Sequence, residues 1–147
     1  MISGYNARRT VFSALHLRSG NMLFLDQTRK RTSEFLEFLD LVSWHYRGFS
    51  VAMLLDENSI HTSEESRSLA EDLDIELIFL PVRSPHLNPI DQIWREGKQR
   101  VCANLQQGSI NDQVDYFVGY YQGLSPKERL VKAGLFSPDY WLFQVSR

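Results

Sequence analysis

Paired cysteines are missing from this chain. Its one cysteine, Cys102, can close no internal disulfide and supplies no thiolate pair for zinc, and a lone thiol fits a reducing compartment. Glycine is sparse, with 8 residues, and none falls in a phosphate-cradling loop or a Gly-x-Ser-x-Gly nucleophile elbow. An excess of one charge is missing too. The net charge is −2, so any affinity for nucleic acid has to come from local basic patches rather than from the bulk field. No apolar run is long enough to span a bilayer, and the opening MISGYNARRT has no apolar leader core. These absences predict a soluble cytoplasmic protein with no membrane partner.

What is present is ordinary globular material: 147 residues, 43% hydrophobic and 23% charged, enough for one domain with a real core. Arg9 to Leu17 alternates apolar and polar residues. Ser19-Gly20-Asn21 is a turn signal, and Met22 to Asp26 completes a hairpin. Thr32-Ser33-Glu34 opens an amphipathic helix carrying Phe35, Leu36, Leu39, Val42 and Tyr46, ended by Gly48. Val51 to Leu55 and Ile75 to Leu80 are short continuous apolar runs, the pattern of strands buried on both faces. Between them lies a helix near Glu64 to Leu73, with Ser63 as its N-cap. After the prolines Pro81 and Pro85, Asn88 suits an N-cap and Pro89 the first helical position, with Ile90, Ile93, Trp94, Gly97 and Val101 as the core face. Ser109 to Tyr121 and Pro126 to Ala133 form a helical hairpin. Trp44, Trp94 and Trp141 are expected to pack rather than stack on bases. A hairpin followed by strand–helix alternation predicts an α/β fold, a mixed sheet flanked by helices.

Two acids are placed for chemistry. Asp56 follows four apolar residues, at the carboxyl end of a strand where ligand sites of open α/β sheets gather. Glu57 and Asn58 add oxygen donors that suit a hard cation such as Mg²⁺, or an ordinary polar turn. Asp91 falls at the third position of the helix begun by Asn88, where an acid also serves as a cap and complements the helix dipole. His61 is a candidate metal or phosphate contact. Arg95 and Lys98 lie four and seven residues beyond Asp91, on nearly the same helix face; they and Arg29-Lys30-Arg31 read either as a phosphate track or as a solvated surface.

LLDENSIH (Leu54 to His61) and LPVRSPHLNPIDQIWREGK (Leu80 to Lys98) together resemble the DDE transposases of the Tc/mariner superfamily, in its bacterial insertion-sequence branch. The 34 residues between the two acids, positions 57 to 90, match that superfamily's spacing. The opening RTVFSALHLRSGNMLFL and the closing GSINDQVDYFVGYYQGLSPKERL are also similar to family segments. The resemblance implies a ribonuclease H-like fold and two-metal cleavage and transfer of DNA strands. Asp56 matches the second catalytic acid and Asp91 the third, both holding Mg²⁺ or Mn²⁺. Around such a site Glu57, Asn58, His61 and Asn88 are expected as neighbours of the metal ligands, and Arg83, Arg95, Lys98, Arg29, Lys30 and Arg31 as DNA contacts. Glu57 departs from the family, which often has Asn there.

A larger departure concerns the first catalytic acid. In the family it lies on a strand ahead of the segment matching Arg9 to Leu17, and only MISGYNAR precedes that segment here. The expectation is therefore a partial catalytic domain over residues 1–107, lacking its first strand, with a helical extension over 108–147. A homo-oligomer or an upstream transposase fragment would then cover the bared sheet edge. Two functions stay open: a DDE nuclease domain, incomplete or inactive alone, and a non-catalytic remnant that binds DNA or oligomerises. A phosphoacceptor receiver domain is disfavoured, because it needs an early acidic pair and a late lysine that this chain lacks.

Overall fold

The computed structural model describes residues 10–81, 87–104 and 110–135. Its elements run β1 (Thr10–Leu15), β2 (Met22–Gln27), α1 (Thr32–His45), β3 (Val51–Leu55), α2 (Ser59–Thr62), α3 (Glu64–Asp72), β4 (Ile75–Phe79), α4 (Pro89–Asn104), α5 (Ile110–Gly123) and α6 (Pro126–Lys132). Strands β1 and β2 pair antiparallel, with Phe12 opposite Leu25 and Leu15 opposite Met22. Their turn closes through Gly20 at φ +80, a backbone region that glycine enters without strain. Strands β3 and β4 pair in parallel, Val51 opposite Ile75, joined by the crossover α2–α3. The predicted α/β class with mixed strand directions holds. Among the described residues the strands form two two-stranded ladders, and none joins β1 to β3.

Alternation along the hairpin explains how it organises the molecule. Phe12, Ala14, Leu23 and Leu25 share one face and join a core with Phe35, Phe38, Leu39 and Val42 of α1 and with Leu55 and Ile75. Leu15, Met22 and Phe24 turn to the opposite face and pack on a second core of Ile93, Phe117, Tyr121, Leu130, Ala133 and Leu135. Period-two alternation thus makes β1–β2 the partition between two helical layers.

The apolar runs of β3 and β4 predict burial on both faces, and the structure corrects this. Ala52, Glu76 and Ile78 are exposed, while Ile75 and Leu55 are buried. Helices α1 and α3 cover the inner face, but the second core covers the hairpin instead of the outer face of β3–β4. Trp44 is a second correction. It is 67% exposed, at the solvent side of the last turn of α1. Helix α1 ends at His45, with the Tyr46 N–H donating to the Val42 carbonyl at 3.0 Å, and Gly48 (φ +88) lies in the turn beyond. The short helix α2 was not anticipated. Asn58 starts it by accepting from the Ile60 N–H at 3.2 Å. Ser63 caps α3 as expected. The described residues contain no helix long and apolar enough to cross a membrane.

Candidate active site

Asp56 leaves the carboxyl end of β3, and its carboxylate is largely exposed. One oxygen, Oδ1, is engaged from two directions: the Asn58 N–H donates to it at 3.1 Å, and His61 Nδ1 lies 2.9 Å away. Neither contact uses Oδ2. His61 is itself held, since its ring packs on Phe35 with centroids 4.6 Å apart and its side chain is only 15% exposed. The strand end, the α2 turn and the first core therefore fix the Asp56 carboxylate together.

Asp91 arrives from the other side, in the first turn of α4. Asn88 is buried; its Oδ1 accepts from the Ile90 N–H at 3.2 Å and its carbonyl from the Asp91 N–H at 3.0 Å. The carboxyl of Asp91 is half-buried, and its pKa is raised above the usual carboxylate range. Burial is the main cause and the negative charge of Asp56 the next; Arg95, Lys98 and Lys30 oppose the rise. The two acids thus share one local field, with Arg95 and Lys98 of α4 and Lys30 from the segment ahead of α1 acting on it. An acid at this helix position can cap its helix and still face a ligand; here a second carboxylate bears on it, which no capping role requires.

The remaining expected residues divide. Arg29 and Lys30 are exposed, whereas Arg31 pairs with Glu34 at 2.9 Å. Glu57 is exposed, and the Asn58 side chain is occupied as the cap of α2. Arg83 lies outside the described residues.

Sequence reasoning missed the group that positions α4. The Glu96 carboxylate sits where α4, α5 and α6 meet. It accepts from Tyr121 Oη, Arg100 Nε at 2.5 Å, Lys132 Nζ at 3.1 Å and Tyr120 Oη at 3.3 Å. Burial pushes its pKa up, but the bonds from Tyr121, Arg100 and Lys132 outweigh that and hold it below the ordinary range. Tyr121 is fully buried and also donates to the Ile93 carbonyl at 2.8 Å. Its phenol is pushed far up, first by burial and then by Glu96. The Arg100 spacing could have shown one contact, an i,i+4 pair on a helix. The other partners come from distant segments.

Residues 3–112 match the family described as DDE superfamily endonuclease, and this span holds both Asp56 and Asp91. The chain belongs to that family. The DDE chain is also similar to an insertion element IS630 uncharacterized 39 kDa protein of Shigella sonnei, at 27% identity over 125 residues. That alignment covers 84% of this chain but 36% of the relative, so the DDE chain spans about a third of the relative's length. In fold it is similar to the crystallised catalytic domain of Mos1 mariner transposase, with TM-score 0.64 and 14% identity over 99% of this chain and 83% of that one. A second structure, Mos1 transposase catalytic domain and raltegravir with Mg, gives the same TM-score of 0.64 over 97% of this chain and 83% of that one. The ribonuclease H-like fold expected from the two motifs is the fold of the DDE chain.

Proposed function

We propose that this DDE domain serves DNA strand cleavage and transfer, with Asp56 and Asp91 as ligands of Mg²⁺ or Mn²⁺. The observation that supports this most is the shared field of the two acids, in which the charge of Asp56 helps raise the pKa of Asp91. A divalent cation relieves that repulsion, and Mg²⁺ is commonly held by one or two carboxylates, with waters and substrate phosphates completing its shell. The donor set present therefore fits the ion. When bound, the ion would activate the attacking oxygen and stabilise the leaving one.

The chain's own residues orient and bind. His61 and the Asn58 N–H hold Oδ1 of Asp56, leaving Oδ2 for a ligand. Asn88 fixes the helix start that presents Asp91. Lys30, Arg95 and Lys98, with Arg29 and Arg83, would take the phosphate backbone through charge-assisted hydrogen bonds; Glu57 borders the site, and Arg31 would contribute only after leaving Glu34. The unladdered edges of β1 and β3 would take a strand from an upstream transposase fragment or a second copy, burying their free backbone groups. Residues 108–147 would act as a helical extension of the same cytoplasmic domain.

The test pairs a Mn²⁺ thermal titration with plasmid nicking. Metal-dependent stabilisation and nicking, both lost in Asp56→Ala and Asp91→Ala, are the expected result. One observation favours a second reading, a non-catalytic DNA-binding or oligomerisation module: no group of three or more ligating side chains occurs among the described residues. Absence of both metal uptake and nicking in the wild-type chain would overturn the nuclease reading and leave the second one.

A further inference from the structure

The end of the molecule opposite Asp56 carries a feature that the active-site reading does not use. Strands β3 and β4 are parallel, so α1 and α3, each leading back into one of them, bring their carboxyl ends to the same end of the fold. Two contacts tie this end together: the His16 and Tyr46 rings, with centroids 5.5 Å apart, and a 3.5 Å bond from Ser50 Oγ to Asp74 Oδ2. Here stand Trp44 and Phe49, 67% and 76% exposed. Aromatic side chains, with arginine, are the residue types in which the surfaces that proteins use to associate are enriched.

Their surroundings state what the cover is. The Arg47 guanidinium lies over the Trp44 ring at 4.3 Å and donates to the Trp44 carbonyl at 3.0 Å, so the indole is already ordered. Beside this cationic-aromatic half lies an acidic half, with Glu71 and Asp74 exposed at the carboxyl end of α3. The carboxylates repel a phosphate backbone, which argues against DNA at this end. A surface with both signs of charge around an apolar centre is complementary to itself under a two-fold rotation.

We infer that this end is a two-fold interface between two copies of the chain, with Trp44 and Phe49 at its centre and Arg47 of each copy meeting Glu71 and Asp74 of the other. The inference is independent of metal binding and nuclease activity. Covering both aromatics supplies on the order of 300 Å² per copy, against about 800 Å² per partner in a standard stable complex. The dimer is therefore a weak one that forms by mass action and loosens with salt.

Sedimentation across a concentration series reads it. The wild-type chain is expected to dimerise with rising concentration, and Phe49→Ser and Trp44→Ala each to raise the dissociation constant about tenfold or more, as central aromatic anchors do. Both residues are exposed, so the variants keep the fold, which circular dichroism verifies. Arg47→Glu and the double variant Glu71→Lys/Asp74→Lys should each be monomeric alone, yet an equimolar mixture of the two should associate, because every charge pair is then opposite in sign. A wild-type chain that remains monomeric throughout overturns the inference. So does a dimer indifferent to Phe49→Ser and Trp44→Ala, which would be held elsewhere, such as at the free strand edges, and so does failure of the mixed pair to associate.

Discussion

Replacing Gly97 with alanine sets two effects of known size against each other. In an open helix the change gains about 1 kcal/mol, because glycine is the costlier residue in a helix interior. Gly97 is in the middle of α4, but a Cβ there would lie 2.1 Å from Cε2 and 2.4 Å from Cδ2 of Phe117, and 3.0 Å from Cε2 of Tyr121. Ordinary carbon contacts are about 3.5–4.0 Å. Phe117 cannot swing clear cheaply: it is 5% exposed, stacked on Trp94 with centroids 4.4 Å apart and against Tyr121 at 5.1 Å. Tyr121 is pinned in turn by Glu96 and the Ile93 carbonyl. Overpacking of this kind costs about 1–3 kcal/mol and at times more. Contacts as close as 2.1 Å to a buried ring put the cost in the upper part of that range, about 2–3 kcal/mol, so Gly97→Ala should lose about 1–2 kcal/mol net, a fall in Tm of about 2–8 °C for a chain of this length. Gly119 in α5 is the control, since a methyl group added there would meet nothing within 4 Å and Gly119→Ala should raise Tm. Differential scanning calorimetry compares the two. A Tm for Gly97→Ala that rises as Gly119→Ala does would refute the close approach of α4 and α5.

Other outcomes follow from single groups. The folded-state pKa of Asp91 is raised, so its ionised form costs stability above that pKa and the cost vanishes as pH falls through it. Asp91→Asn should accordingly melt slightly higher than wild type at neutral pH, by no more than about 1 kcal/mol given solvent screening at a half-exposed site, with the gap closing on acidification; a lower melting point for the variant at neutral pH would contradict the shared field. Ser13 Oγ is buried without a hydrogen-bond partner, so Ser13→Ala should stabilise by about 1 kcal/mol in urea unfolding, and a loss would reveal a partner for the hydroxyl. Ser125 and Glu128 form a reciprocal capping box at the start of α6, with bonds of 3.1 and 3.0 Å. Ser125→Ala should cost about 1 kcal/mol, and an unchanged unfolding midpoint would mean that α6 depends on its packing alone.

The sequence determined most of the elements and placed two acids, one at a strand end and one at a helix start. Alternation in β1 and β2, helical spacing in α1, and caps at Ser63 and Asn88 are local signals, and local physics produced the elements they specify. Asp56 and Asp91 were legible for the same reason: a strand end and a helix start are each written in a few adjacent residues. Tertiary structure decided what depends on neighbours distant in the chain. The apolar runs of β3 and β4 could not reveal that Ala52 and Ile78 stand exposed, nor could Trp44 reveal its own exposure. Only folding brings Lys30 to bear on Asp91, or joins Glu96 to Tyr121 and Lys132. Periodicity tells a residue which face of its own element it occupies; what stands opposite that face is a property of the packed chain.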